Sequence, residues 1–98
     1  MADITITRKH AFDATNAAEK LRTLVTNFQE KRPDQVKDVS FSEDGTSATA
    51  SGRFFKGTFN VTDEQVSVDI DLIGFAAKMA KGMVQQQITK ALDSEFPA

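Results

Sequence analysis

The hydrophobic period of this chain changes at Gly74. Over residues 57–72 the apolar side chains alternate: Phe59 and Val61, then Val66, Val68, Ile70 and Leu72. Beyond Gly74 they recur at helical spacing, as Ala76, Ala80, Val84, Ile88 and Ala91. A period of two marks a strand with one buried face, and a period near 3.6 marks an amphipathic helix. A hairpin therefore feeds directly into a C-terminal helix that folds back on its own sheet.

The rest of the chain fits the same scheme. Residues 3–8 read as a strand, with Ile4 and Ile6 on one face and Thr5 and Thr7 on the other. Asp13 is placed to cap a helix, and Phe12 to staple against Ala17. That helix runs to about Lys31, and Ala14, Ala17, Ala18, Leu21, Leu24, Val25 and Phe28 form its single apolar stripe. Pro33 ends it, because proline bars helical geometry for the residue before it. Residues 36–42 form the second strand, with Val39 and Phe41 inward. Glu43-Asp44-Gly45-Thr46 is a turn. Residues 47–53 form the third strand, whose inward residues Ala48, Ala50 and Gly52 are small enough to admit a close backbone or helix. The fourth strand carries Phe59 and Val61. Thr62-Asp63-Glu64 turns the chain into the fifth, over residues 65–72.

The predicted fold class is α+β, in the order β-α-β-β-β-β-α, with an antiparallel sheet and two helices packed on one face. The 98 residues make a single domain, 1–98. The opposite sheet face carries Thr5, Thr7, Ser40, Thr49, Ser51, Thr58, Asn60, Ser67, Asp69 and Asp71, and reads as solvated.

Composition narrows the function classes. There is no cysteine, so neither disulfides nor thiol chemistry arise. The opening MADITITRKH lacks the apolar core of a secretion signal, and no window approaches a membrane span, so a cytoplasmic protein is expected. All eight aromatic residues are Phe. The formal net charge is −2, and residues 33–72 hold Lys37, Arg53 and Lys56 against eight acids. That balance argues against a general nucleic-acid binder, which needs a basic stripe to displace phosphate counterions.

Catalytic signatures are sparse. His10, the one histidine, sits beside Arg8 and Lys9 with no nucleophile or acidic partner near it in sequence, and reads as a surface or capping residue. Asp69 and Asp71 share a strand face and read as part of the solvated surface. No phosphate loop, dinucleotide fingerprint or metal-protease signature is present. No catalytic residue, metal ligand or cofactor is assigned.

Two features exceed what a fold requires. The second helix has a core stripe of Ile73, Ala76, Ala77, Ala80, Val84, Ile88, Ala91 and Leu92. A second apolar row runs beside it, Phe75, Met79 and Met83, flanked by Lys78 and Lys81. Either that row packs against the first helix, or it is an exposed patch for a protein partner, a second copy of the chain or a lipid-covered surface. The other feature is Arg53-Phe54-Phe55-Lys56 at a hairpin tip. Phe54 continues the inward phase of Ala50 and Gly52, which leaves Phe55, between Arg53 and Lys56, as the candidate contact.

Taken together, the opening strand ending Arg8-Lys9-His10, the capped helix, the Asp-Gly turn, the stretch Ser51-Gly52-Arg53-Phe54-Phe55-Lys56-Gly57-Thr58-Phe59-Asn60-Val61, the run Leu72-Ile73-Gly74-Phe75 and the close Ala91-Leu92-Asp93 resemble a family of short bacterial proteins. These are the polyhydroxyalkanoic acid system proteins, also called the granule-region family. The resemblance implies association with storage-polyester granules and no known reaction. On that reading Phe75, Lys78, Met79, Lys81 and Met83, with Arg53, Phe55 and Lys56, contact the granule surface or a granule-associated protein, or form a homodimer. Two other readings stay open. One is a small-ligand domain of acyl type, with a pocket between helices and sheet unless Phe28, Phe41 and Phe59 fill it. The other is an RNA- or ribosome-binding α+β domain.

Overall fold

Each alternating segment of the sequence becomes a strand in the computed structural model of the protein, which describes residues 2–96. The strands are β1 (Ile4–Lys9), β2 (Asp38–Phe41), β3 (Ser47–Ser51), β4 (Phe55–Val61) and β5 (Gln65–Leu72). They form one antiparallel sheet in the spatial order β1-β5-β4-β3-β2. Strands β2 to β5 are a meander, and β1 joins its far edge by pairing with β5, Ile4 opposite Ile70 and Lys9 opposite Gln65. Because β1 and β2 lie at opposite edges, the helix between them must cross the sheet. Four strand spacings are about 19 Å. The connecting helix α1 (Ala14–Lys31) has 18 residues, about 27 Å at 1.5 Å each, which is enough.

Helix α1 starts and stops as the sequence predicts. Asp13 caps it, its carboxylate accepting the Asn16 N–H at 2.8 Å. It ends at Lys31, with the Arg32 N–H donating to the Phe28 carbonyl at 3.0 Å just before Pro33. Its buried residues are Ala17, Leu21, Leu24 and Val25, one turn-spaced stripe laid on the sheet. Phe12 does more than staple the helix: its ring lies 5.7 Å from His10 and 6.3 Å from Phe96, with the Lys20 ammonium 4.5 Å above it.

The inner sheet face supplies the other half of the core. Val66, Val68, Ile70 and Leu72 of β5 are buried, as are Ala48, Ala50, Phe59 and Val61 on β3 and β4. The outer face carries the expected hydroxyls, with Thr5 Oγ1 donating to Asp69 at 3.0 Å and Ser47 Oγ to Asn60 at 2.7 Å. Asp44 builds the β2–β3 turn by accepting from the Thr46 N–H, the Thr46 hydroxyl and the Ser42 hydroxyl, while Gly45 takes φ of 74°.

Two expectations need correction. The C-terminal helix is not continuous: it is α2 (Phe75–Met79) and α3 (Lys81–Glu95), separated at Ala80. The Ala80 N–H is shared between the carbonyls of Ala76 and Ala77, a locally tightened turn, and Gly82 follows it. The core stripe assigned to this helix is also shorter than its spacing implied. Ile88 and Leu92 are buried and Ala77, Val84 and Ala91 are partly so, but Ile73 and Ala76 are exposed, and α2 buries nothing fully. The C-terminal half of α3, closed by the buried Phe96, carries the packing.

The close approach expected at the small β3 residues is real at Gly52. A Cβ there would stand 1.6 Å from the Gln35 carbonyl oxygen, a backbone atom that cannot swing away. Gly82 faces open space in an ordinary helical conformation. Gly52→Ala is therefore expected to destabilise the protein by roughly 1–3 kcal/mol through overpacking. Gly82→Ala is expected to stabilise it by about 0.5–1 kcal/mol. Urea unfolding followed by circular dichroism checks both signs.

Candidate functional site

Hairpin parity decides which Phe of the β3–β4 tip faces out. Gly52 and Phe55 close the turn, the Gly52 N–H donating to the Phe55 carbonyl at 2.9 Å, so only Arg53 and Phe54 lie in the loop. A two-residue loop resets the alternation, and Phe55 takes the inward phase with Gly57 and Phe59. Phe55 packs against the core, and Phe54 is 47% exposed. The assignment of Phe54 inward and Phe55 outward is thus reversed.

The same turn places the tip beside the end of β5. Phe55 lies opposite Leu72 and Lys56 opposite Asp71, and the Ile73 N–H donates to the Phe54 carbonyl at 2.7 Å. The hairpin and the helical row, separate in sequence, become neighbours through this bond. Gly74 then takes φ of 90°, a value that side chains rarely tolerate, and starts α2.

The second apolar row does not pack against α1. Phe75 is 80% exposed, Met79 74% and Met83 63%, and Ile73 is half exposed. With Phe54 these are the large exposed apolar residues among those described, and all five belong to the hairpin tip, the β5–α2 junction and the helices that follow. Arg53, Lys56, Lys78 and Lys81 are exposed around them. Lys78 is held by Asp3 at 3.3 Å; Arg53, Lys56 and Lys81 have no ion pair among the described residues. Phe54 and Ile73 were missed as surface residues in the sequence, although strict alternation past Leu72 points Ile73 outward.

Behind this ridge lies an apolar cleft of about 320 Å³. Its floor is the inner sheet face at Ala50, Phe59, Ile70 and Leu72. One wall is the end of α1, at Val25 and Phe28, and the other is α2 and α3, at Ala76, Ala77, Ala80, Val84 and Ile88. Phe54, Phe55 and Met83 line its edge. The space survives because Phe41 lies elsewhere, its ring under the Arg22 guanidinium at 4.8 Å, while Phe28 and Phe59 form walls instead of a plug. Arg32 and Gln87, which the sequence did not single out, stand at one end. There a second recess of about 290 Å³ begins, lined by Asn27, Lys31, Lys90, Ser94 and Glu95.

His10 has a structural position. Its Nδ1 accepts the Phe12 N–H at 3.1 Å, which leaves the proton on Nε2 to donate to the Thr62 carbonyl at 2.8 Å. The ring pins the β1–α1 loop to the β4–β5 turn. Among the described residues no three side chains of metal-ligating type converge, and no helix is long and apolar enough to cross a membrane.

The family model described as "Putative polyhydroxyalkanoic acid system protein" matches residues 4–96 of the chain. That span covers the ridge, the cleft and the adjoining recess. No curated protein and no solved structure matches the chain.

Asp3 fastens α2 to the sheet. Its carboxylate accepts the Leu72 N–H at 2.8 Å and faces the Lys78 ammonium. The backbone hydrogen bond first, and Lys78 second, hold its pKa below the ordinary value of 3.8. A depressed carboxylate pKa contributes stability that is present above the ordinary value and is lost as pH falls through the folded one. Asp3→Asn is expected to lose stability at pH 7 and to show a smaller further loss between pH 6 and pH 3 than the unmodified protein. Urea midpoints at those three pH values check it.

Proposed function

The chain belongs to the polyhydroxyalkanoic acid system protein family, and from that premise we propose that it acts by adsorbing to the surface of storage-polyester granules through the ridge on α2 and the start of α3. The observation that carries this reading is the exposure of Phe75 and Met79 on a helix that buries no residue of its own. Large apolar side chains left in water are a standing source of binding free energy, about 1.5–3 kcal/mol each when fully covered. Contiguous patches of them mark contact surfaces. Methionine adapts to an irregular partner such as a polymer surface.

The cations fit the same occupant. Arg53, Lys56 and Lys81 can lay their stems along an apolar surface while their charges stay at the water boundary, where an amphiphilic coat presents anionic groups. Lys78, turned toward Asp3, fixes the helix that displays the row. The contact set is Phe54, Phe75, Met79 and Met83 rimmed by Arg53, Lys56 and Lys81. Phe55 supports it from beneath as part of the cleft wall. The role is one of binding, with no chemical step assigned to any residue, in the compartment that holds the granules.

The double variant Phe75→Ser, Met79→Ser removes the outermost apolar groups and none that lines the cleft. It is expected to keep the unmodified circular dichroism spectrum and urea midpoint and to lose at least tenfold in co-sedimentation with isolated polyester granules. Co-sedimentation equal to that of the unmodified protein shows that the ridge is not the contact.

A further inference from the structure

The cleft behind the ridge has two ends of different chemistry. Away from the second recess the cleft is walled by aliphatic and aromatic side chains: Val25, Ala50, Phe59, Val84 and Ile88. The open end meets the second recess, and the two share Phe28, Arg32 and Gln87. That recess carries three cations, Lys31, Arg32 and Lys90, against one acid, Glu95. None of the four is in an ion pair among the described residues. An apolar slot that opens onto an unneutralised basic recess matches one class of molecule, an amphiphile with an aliphatic chain and an anionic head.

We propose that the protein binds a medium-length acyl anion, with its chain in the cleft between α1 and α3 and its carboxylate at Arg32 and the adjoining Lys31 and Lys90. The volume sets the length. At roughly 30 Å³ per small group, 320 Å³ is room for about ten groups, a chain of about eight to ten carbons with part of its head. A pocket of this size lies at the lower end of the range for small-ligand sites, and its pattern of apolar walls with a few convergent polar groups is the usual one. Arginine suits the head, because its planar fork meets a carboxylate with two parallel hydrogen bonds. Gln87, beside Arg32, offers an amide to a hydroxyl or carbonyl near the head.

The slot is a consequence of small residues at matched positions. Ala50 on β3 lies opposite Gly57 on β4, and Ala76, Ala77 and Ala80 line the helical side. A larger side chain at any of these helical alanines would close the cleft without touching the sheet register. The cleft shares Phe54 and Met83 with the ridge at its edge, but Phe75 and Met79 do not line it, and Arg32, Ala50 and Val84 lie off the ridge, so the two readings are separable by variants.

The test is isothermal titration of the protein with sodium salts of straight-chain acids of four to sixteen carbons, each below its micelle concentration, and with methyl decanoate. The expected result is saturable one-to-one binding that is tightest at eight to ten carbons and at least tenfold weaker for the methyl ester. Arg32→Gln is expected to weaken decanoate about tenfold or more and to leave the ester unchanged. Ala77→Phe, and independently Val84→Phe, are expected to remove binding of both, and Phe75→Ser, Met79→Ser to remove neither. Decanoyl coenzyme A separates the two sources of the chain. Binding as tight as that of decanoate assigns the site to carrier-linked acyl groups, and weaker binding assigns it to the free acid. No saturable binding of any acid overturns the proposal. So does an affinity that climbs steadily to sixteen carbons and ignores the ester, because that is adsorption to the ridge. Neither of these two readouts depends on a variant folding.

Discussion

The pairing of β1 with β5 organises everything on the C-terminal side of the molecule. The meander of β2 to β5 is built from short turns and needs no distant partner. β1 does: Thr5 reaches Asp69 across 64 residues of chain. Closing so long a loop costs only about 0.6 kcal/mol more for each doubling of length, so the sheet register can repay it. Once β1 is in place it moors the later elements one by one. Asp3 takes the Leu72 N–H and Lys78 at the start of α2. Arg8 pairs with Asp93 on α3. The His10 N–H donates to the Glu64 carbonyl, and the His10 ring holds Thr62 and packs 5.5 Å from Phe96. Arg8 and His10, at the basic end of β1, are thus spent on internal ties.

This mooring explains why the inner sheet face is covered unevenly. Helix α1 must run from the β1 edge to the β2 edge, so it lies across β2, β3 and β4. Helix α3 is fastened near β1 and touches α1 along part of its length. Between the two helices lies the cleft, over Ala50, Phe59, Ile70 and Leu72 of the sheet's inner face. Alanines on α2 and the Ala50–Gly57 pair below it are too small to fill the gap. Of the aromatic residues that could have filled it, Phe41 lies beneath Arg22, and Phe28 and Phe59 line the space without plugging it. Cleft and fold therefore have a common cause, the crossing path of α1.

The strands and α1 were legible in the sequence because each is governed by a local rule. Alternation set the faces of β1, β4 and β5, Asp13 and Pro33 bounded α1, and Asp44-Gly45 set the turn between β2 and β3. Legibility failed where the answer depended on a count or on a distant partner. The reversal of Phe54 and Phe55 follows from a loop of two residues, and the parity of a hairpin changes with every residue added to its turn. The break at Ala80 left no proline or capping residue to announce it. The spacing of Ile73 and Ala76 matched a core stripe, yet nothing in a helical wheel says whether a sheet extends far enough to receive it. Arg32 closes α1 while Gln87 and Lys90 lie on α3, and only the packing of the two helices brings them together. The lysine-flanked row of Phe75, Met79 and Met83 was legible as an excess of apolar surface, and the direction it faces was not.

The composition of α2 is the reverse of what a surface helix needs for its own stability. Ordinarily large apolar residues point to the core and small or polar ones to water. In α2 the alanines, Ala76 and Ala77, line the cleft, while Phe75 and Met79 face away from it into water. Five residues cannot hold helical form by propensity. The segment is kept by the Gly74 carbonyl, which accepts the Lys78 N–H at 3.1 Å, and by the Asp3–Lys78 pair. Folding gains little from an outward Phe and Met, and it would gain from a larger residue in place of either inward alanine. Both departures have one sense if the helix is a partition between two apolar environments outside the folded core. Small residues on the inner side keep the cleft open, and large ones on the outer side offer area to a surface. Met83, at the first turn of α3, belongs to both, exposed to water on one side and lining the cleft on the other. On the proposed reading, the stability forgone along α2 is localised at the surface that would make the contact.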